Sequence, residues 1–220
     1  MISQSVENFL KYLYDLQKGD EWVHTNDLAK ALDQKAASTT NMIKKLAESG
    51  KDLIDYVPYK GVRLKPGGER IALEVIRHHR LIELYLAEAL GVPWDQVHEE
   101  AEKLEHVISE DLEERMARAL GNPTIDPHGS PIPSKELKIT KRESKPLSSI
   151  ETGTRVEVVE VYDHDPELLR YLGKLGLYPE TQFEVLEKED FGNSLQIRIQ
   201  DKECSIGENA IPYISVIEVS

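Results

Sequence analysis

Apolar residues recur at helical spacing over about the first half of the chain and at every second position near its end. Residues 5–17 predict a first helix, residues 27–32 a second, capped by Thr25 or Asn26, and residues 36–48 a third, ended by Gly50. Two short alternating runs flank Tyr59-Lys60-Gly61 and predict a hairpin. Three helices followed by a hairpin are the order of a winged helix-turn-helix.

After the hairpin, the pattern of apolar residues changes from helical spacing to a linker and then to alternation. Pro66-Gly67-Gly68 punctuates it, and helices are then expected over residues 69–90, 94–107 and from Ser109 or Asp111 to residue 120. Residues 122–149 are rich in proline, serine and lysine, which is typical of a linker. Alternating runs around a short helix at 166–175 then predict a small β-barrel-like domain.

These patterns predict a mainly α protein with a C-terminal β domain. We expect a winged helix-turn-helix over residues 1–65, a helical domain over 66–121, a linker over 122–149 and the β domain over 150–220.

Composition narrows the class of protein. The chain has 220 residues, of which 40% are hydrophobic, so it can bury a core. The N-terminus lacks the pattern of a signal peptide, and no apolar run has the ~20 residues of a membrane span. We therefore expect a cytoplasmic protein with no membrane partner. The single cysteine, Cys204, excludes an internal disulfide and a cysteine-cluster metal site.

The net charge of −13 argues against nucleic acid binding, but the charge is unevenly distributed. Residues 34–64 hold six lysines and arginines against three acidic residues. An acidic protein with this basic segment would repel DNA everywhere except on one face.

The third predicted helix begins with small and polar side chains, which can reach base edges, while lysines contact phosphates. A surface helix that contacts nothing is the alternative. The candidate DNA-binding residues are Lys35, Ala37, Ser38, Thr39, Thr40, Asn41, Lys44 and Lys60.

Histidines and glutamates are spaced for metal binding in the helical domain. His79 and Glu83 lie four apart, so they share one helix face. His98, Glu102, Glu105 and His106 are spaced four, three and one, which places them on or near one face of the next predicted helix. Imidazole and carboxylate without thiol suit a borderline or hard divalent metal, although a solvated charged face has the same composition.

The order of these segments resembles the diphtheria toxin repressor and manganese transport regulator family of bacterial metal-activated repressors. Two segments of this chain resemble the family's metal-binding signature: Arg77-His-His-Arg-Leu-Ile-Glu and Val97-His-Glu-Glu-Ala-Glu-Lys-Leu-Glu-His-Val-Ile-Ser. A third, Tyr59-Lys-Gly-Val-Arg-Leu-Lys-Pro, resembles the family's wing. The resemblance spans essentially the whole chain and implies that the β domain is SH3-like, of the FeoA type. It also implies a homodimer that binds a palindromic double-stranded operator, and two metal ions per subunit.

The resemblance assigns ligands to both ions. The ancillary site matches His79, Glu83 and His98, completed by Asp165 or Asp163 or by the linker residues Asp126 and His128. His78 is expected to point away from the site, and His164 is left undecided.

The primary site matches Glu102, Glu105 and His106 with a first-helix residue, here Asn8. Iron-responsive members have cysteine where this chain has Glu102, and manganese-responsive members have glutamate. Mn²⁺ is therefore the expected cofactor and Fe²⁺ the alternative. Asn8 departs from the aspartate of the manganese branch, and its neutral amide is a weaker ligand.

We therefore expect a metal-activated repressor of metal-homeostasis genes, not an enzyme, with no small-molecule substrate. A metal-dependent hydrolase is a second hypothesis, since a His/Glu site can activate water, but no nucleophile motif supports it. A third is a winged-helix regulator that works without metal and binds a protein partner through its β domain.

Overall fold

The structure, a computed structural model, describes residues 2–140, 142–162, 164–189 and 194–219. The chain divides into two compact units, each assembled from several segments. The first contains Met1–His78, Glu105–Ile108 and Pro133–Lys138. The second contains His79–Leu104, Ser109–Ile132 and Ile139–Ser220.

The first unit has the predicted winged helix-turn-helix. Its elements are α1 (Gln4–Leu16), α2 (Thr25–Ala31), α3 (Ala36–Glu48), β1 (Ile54–Val57) and β2 (Gly61–Leu64). The two strands pair antiparallel as the wing hairpin. The predicted bounds of α3 match the structure, because a regular apolar stripe defines both of its ends.

The core of the first unit is formed by side chains at helical spacing on α1 and α3 and at alternate positions in the wing. It includes Phe9, Leu10, Leu13, Val23, Leu28, Ile43, Leu46, Leu53, Ile54, Val62 and Ala72. The predicted cap of α2 is wrong: the helix begins at Thr25, His24 occupies the N-cap position, and no side chain caps it.

The long helix α4 (Pro66–Leu90) begins three residues earlier than predicted and contains the Pro-Gly-Gly segment in its first turn. Proline suits this position because its missing N–H would have no helical partner there. Both glycines pack directly on backbone. A Cβ on Gly67 would lie 2.3 Å from the oxygen of Asp52, and one on Gly68 2.0 Å from that of Leu53.

The second unit contains the later part of α4, then α5 (Val97–Leu104), α6 (Glu110–Ala119) and α7 (Pro166–Leu175). The predicted extent of α5 is wrong, because it is much shorter than residues 94–107. Glu105 and His106 follow its end and belong to the first unit.

An antiparallel sheet completes the second unit, which confirms the predicted C-terminal β domain. Its strands are β3 (Lys145–Pro146), β4 (Arg155–Val161), β5 (Gln182–Glu189), β6 (Ser194–Ile199), β7 (Lys202–Gly207) and β8 (Ile214–Glu218). They are ordered β3-β8-β4-β5-β6-β7. The sequence pattern did not predict β7, in which polar residues interrupt the alternation. The hydrophobic core of this β domain includes Val156, Val158, Phe183, Val185 and Ile197.

The expectation of a linker with little packing is wrong for residues 126–133. Asp126, His128, Gly129 and Ser130 are buried, as are Ile132 and Pro133. Within the described ranges, no helix combines the length and apolarity that crossing a membrane requires.

Candidate metal centre and nucleic-acid interface

A buried carboxylate is the centre of a polar cluster in the second unit. Glu83, on α4, has no solvent exposure. Its Oε1 lies 3.0 Å from His79 Nε2 and 3.1 Å from His98 Nδ1, and these two nitrogens are 3.1 Å apart. The four-residue spacing on α4 brings His79 and Glu83 together, and α5 supplies His98. Three ligand-type atoms thus converge on one point.

His128, in the predicted linker, lies near the second carboxylate oxygen of Glu83. Its Nδ1 lies 3.9 Å from Glu83 Oε2, and both side chains are fully buried. Neither atom has a hydrogen-bond partner among the described residues. Buried polar atoms without partners are costly, so a cation between the two would stabilise this pair.

The hydrogen bonds of His128 define which of its nitrogens carries the proton. Nε2 lies 2.8 Å from the carbonyl oxygen of Trp94, which can only accept. Nε2 must therefore donate, which leaves Nδ1 facing Glu83. In the neutral ring Nδ1 carries a lone pair, and a cation between that lone pair and the carboxylate would attract both. This is the tautomer of a metal-ligating histidine, whose second nitrogen donates to a carbonyl.

The peptide around His128 is held in place by the β domain. The carbonyl of His128 accepts a hydrogen bond of 2.9 Å from the backbone N–H of Val161. Gly129, at φ +91°, lies so close to β4 that a Cβ would be 1.9 Å from the oxygen of Val159. The indole of Trp94 stacks on His128, with 5.7 Å between ring centroids.

Asp126 shapes the same loop. Its Oδ1 accepts hydrogen bonds from the N–H groups of His128 and Ser130 at 2.8 and 3.0 Å. Its Oδ2 lies 3.7 Å from Arg80 Nε, and Arg80 also donates to the carbonyl of Pro131 at 2.5 Å. Asp126 is therefore close to Glu83 and His128, as the resemblance implied, but its charge is shared with Arg80.

The electrostatics of the cluster keep Glu83 ionised. Burial alone raises the pKa of Glu83, but the charge of His79 and hydrogen bonds with His79 and His98 outweigh it. The pKa therefore lies well below its ordinary value. An ionised buried carboxylate among imidazoles fits a divalent cation, and the groups whose ligand atoms lie close enough to hold one are His79, Glu83 and His98, and Glu83, Asp126 and His128.

His98 also faces outward. Its Nε2 lies 3.0 Å from Nδ1 of the exposed His164 and 3.8 Å from Oε1 of Glu102. His164, undecided from the sequence, is thus adjacent to the cluster.

Asp165 is placed differently from the expectation. Its Oδ1 caps α7, accepting from the N–H groups of Glu167 and Leu168 at 2.9 and 3.2 Å. The Asp-Pro pair is a helix-start signal that competes with the ligand interpretation. The other option, Asp163, lies outside the described residues.

A second polar cluster lies in the first unit. His106 Nδ1 is 2.7 Å from Glu7 Oε2, and its Nε2 is 2.5 Å from Asn8 Oδ1 and 3.2 Å from Glu105 Oε1. Of the residues that the resemblance assigns to the primary site, Asn8, Glu105 and His106 lie here, and Glu102 lies on α5 in the second unit. Lys11, which the sequence interpretation missed, also contacts Glu105. Its position three residues after Asn8 on α1 was the available signal.

The residues expected to bind DNA differ in their exposure to solvent. Thr39 is fully buried, so the expectation that it faces DNA is wrong, and Thr40 donates to the carbonyl of Ala36 at 2.7 Å. The exposed members are Lys35, Ala37, Ser38, Asn41 and Lys44, together with Lys60 on the wing.

Comparison with known proteins agrees with this architecture. Residues 1–62 match the N-terminal DNA binding domain of iron dependent repressors, and residues 65–134 match their metal binding and dimerisation domain. Residues 145–218 match the FeoA domain.

Individual proteins match over most of their length. The iron-dependent repressor IdeR of Mycobacterium tuberculosis is 31% identical over 193 residues, covering 82% of this chain and 83% of the relative. A solved manganese-dependent transcriptional repressor in complex with manganese is 32% identical, with a TM-score of 0.88 over 97% of this chain and 100% of that one. The manganese regulator SloR is 28% identical, with a TM-score of 0.77 over 97% and 98%.

The winged helix-turn-helix, the buried His/Glu cluster and the three domain matches all indicate the same family. The protein belongs to the diphtheria toxin repressor family of metal-dependent transcriptional repressors, which are not enzymes.

Proposed function

We propose that this protein is a homodimeric repressor that Mn²⁺ activates to bind a palindromic operator of metal-homeostasis genes. The observation that supports cation binding best is the buried pair of Glu83 Oε2 and His128 Nδ1, 3.9 Å apart and without hydrogen-bond partners among the described residues. We propose His79, Glu83, His98 and His128 as ligands in the second unit. Glu105, His106 and Asn8 are proposed ligands of another cation in the first.

The choice of manganese rests on the donor atoms. The clusters offer imidazole, carboxylate and amide groups, and the one cysteine, Cys204, lies on β7. Such sets favour harder cations than thiolate sites do. The solved structures named above as manganese-dependent support this choice, whereas the identity with the iron-dependent IdeR supports Fe²⁺ as the alternative.

Dimerisation is supported by exposed apolar side chains in the helical region. Leu90, at the end of α4, is 63% exposed, and Leu112, on α6, is 45% exposed. Exposed leucines in a region matching a dimerisation domain favour a symmetric interface. Such a dimer would place two α3 helices about one DNA turn, ~34 Å, apart.

The proposed activation is thermodynamic linkage. A cation that binds the DNA-competent conformation more tightly raises operator affinity, and operator DNA must raise cation affinity by the same factor. The coupling factor measured from the DNA side must therefore equal the factor measured from the cation side.

The test is a titration of labelled promoter DNA from the protein's own genomic neighbourhood, followed by fluorescence anisotropy. It is run with Mn²⁺, anaerobic Fe²⁺, Zn²⁺ and chelator. Binding that appears with Mn²⁺ at lower concentration than with Fe²⁺ would support a manganese sensor. Stronger activation by Fe²⁺ would replace manganese with iron, and equal binding in chelator would contradict metal activation.

Matched variants on α4 connect the response to the cluster. Glu83→Gln removes the buried charge and should raise the Mn²⁺ concentration needed for half-maximal DNA binding by at least about tenfold. Glu88→Gln removes an exposed glutamate from the same helix and should not. Equal responses of the two variants would exclude Glu83 as a ligand.

A further inference from the structure

The tip of the wing carries an aromatic side chain with no packing partner. Tyr59, in the turn between β1 and β2, is fully exposed and has φ +66°. This backbone conformation is unfavourable for residues with a side chain, and at exposed positions it is usually occupied by glycine or asparagine. An unpacked tyrosine held there favours a role in contacting another molecule.

Trp22 lies beneath the wing. It is half-buried and directly precedes Val23, whose backbone exchanges hydrogen bonds of 2.8 and 2.9 Å with Val62 of β2. Gly61 makes this approach possible, because a Cβ there would lie 2.3 Å from the oxygen of Val23. The backbone next to Trp22 is therefore held against the wing.

Two cationic side chains of the wing lie over the Trp22 ring. Lys60 Nζ is 4.5 Å from the ring centroid, and the guanidinium carbon of Arg63 is 4.8 Å from it. Both distances are within the range of a cation–π interaction. A tryptophan that served only as core would turn its faces to apolar groups instead.

The two cations differ in their other partners. Arg63 makes a two-pronged contact with Asp55, at 2.9 and 3.1 Å, so its charge is paired within the hairpin. Lys60 is exposed, and no carboxylate within the described ranges forms an ion pair with it. Its ammonium is therefore available to an anion outside the protein.

We propose that Trp22 is a positioning residue for DNA binding. Its indole holds Lys60 extended over the wing, so that Lys60 and Tyr59 contact the phosphate backbone beside the bases that α3 reads. A side chain ordered in advance loses less conformational entropy on binding, which strengthens the phosphate contact. The inference rests on DNA binding by the family and is independent of the metal's identity.

The experiment is a double-mutant cycle measured by anisotropy with operator DNA, at several salt concentrations and at the metal concentration that saturates wild-type binding. Trp22→Leu keeps apolar bulk but removes the aromatic face, and Lys60→Gln removes the charge. Each should weaken binding several-fold, and Lys60→Gln should also lower the slope of log affinity against log salt by about 0.9, the value of one phosphate contact. The double variant should be no weaker than Lys60→Gln, because Trp22 acts through Lys60.

Two further variants separate positioning from folding and from net charge. Trp22→Phe retains an aromatic face and should recover most of the affinity lost in Trp22→Leu, at an equal melting temperature. Lys174→Gln removes one exposed positive charge from α7 and should leave the salt slope unchanged. Additive losses in the cycle, or a Trp22→Leu protein with the wild-type affinity, would overturn the proposal.

Discussion

The ammonium of Lys11 lies 2.8 and 2.9 Å from the two carboxylate oxygens of Glu105, and both side chains are almost completely buried. The residues are 94 positions apart in sequence and belong to the same unit. Glu105 therefore has an internal counter-charge, and a cation bound by this carboxylate would have to share it with Lys11 or displace it.

Removing the positive partner should be strongly destabilising. We expect Lys11→Met to lower the free energy of unfolding by about 3–5 kcal/mol, because it removes the ammonium that contacts both oxygens of a buried carboxylate. Urea denaturation in chelator measures this, with Lys18→Met as the control for loss of an exposed lysine. A second change, Glu105→Leu, in the Lys11→Met protein should recover part of the loss, and equal midpoints for Lys11→Met and wild type would refute the prediction.

The contact of the linker with β4 can be tested at Gly129. We expect Gly129→Ala to cost at least about 2 kcal/mol, since a methyl group would meet the Val159 oxygen at 1.9 Å in addition to the strain at φ +91°. Gly153→Ala is the matched control, because Gly153 has φ +84° but nothing within 4 Å of its added methyl. Thermal melts of the two variants should differ, and equal losses would mean that backbone strain alone explains both.

Trp94 should report cation binding through His128. The chain has two tryptophans, so in Trp22→Phe the emission comes from Trp94 alone, whose ring stacks on His128. Zn²⁺ has no redox chemistry and is a suitable probe. We expect saturating Zn²⁺ to change the emission, and His128→Ala to move the midpoint to at least about tenfold higher concentration. An unchanged spectrum in Trp22→Phe would argue against a cation beside His128.

Acid should weaken the metal-free protein through Glu83. Burial opposes ionisation, but His79 and His98 hold the pKa of Glu83 well below 4.5, its ordinary value. A lowered folded-state pKa gives stability that is present above that value and lost as the pH falls below it, since the unfolded chain then binds more protons. The unfolding free energy in chelator should fall by up to about 1.4 kcal/mol per pH unit more in wild type than in Glu83→Gln. Parallel pH profiles for these two proteins would contradict the prediction.

Local sequence signals determined most of the secondary structure. The bounds of α3 and α7 agree with the structure because each has a regular apolar stripe, and α7 has an Asp-Pro start and a glycine end. The order of helices, hairpin and late strands was sufficient to predict the fold class. It also singled out His79, Glu83 and His98, because helical spacing is a local property.

Other features depended on contacts between distant segments. The sequence predicted one helix through Glu105 and His106, but α5 ends at Leu104, and these two residues belong with α1 in the first unit. Thr39 has the composition of a DNA contact, yet it faces the core. A threonine side chain suits either environment, so the residue type alone does not distinguish them.

The sequence by itself determined which residue types were available for metal and DNA, because periodicity places side chains on a helix face. Only the tertiary structure decided which of them meet. Asp165 caps α7. His128 faces Glu83 because its ring bonds to the carbonyl of Trp94 and because Gly129 packs against the backbone of β4. These contacts join segments far apart in the chain, and their geometry depends on backbone positions that no local pattern encodes.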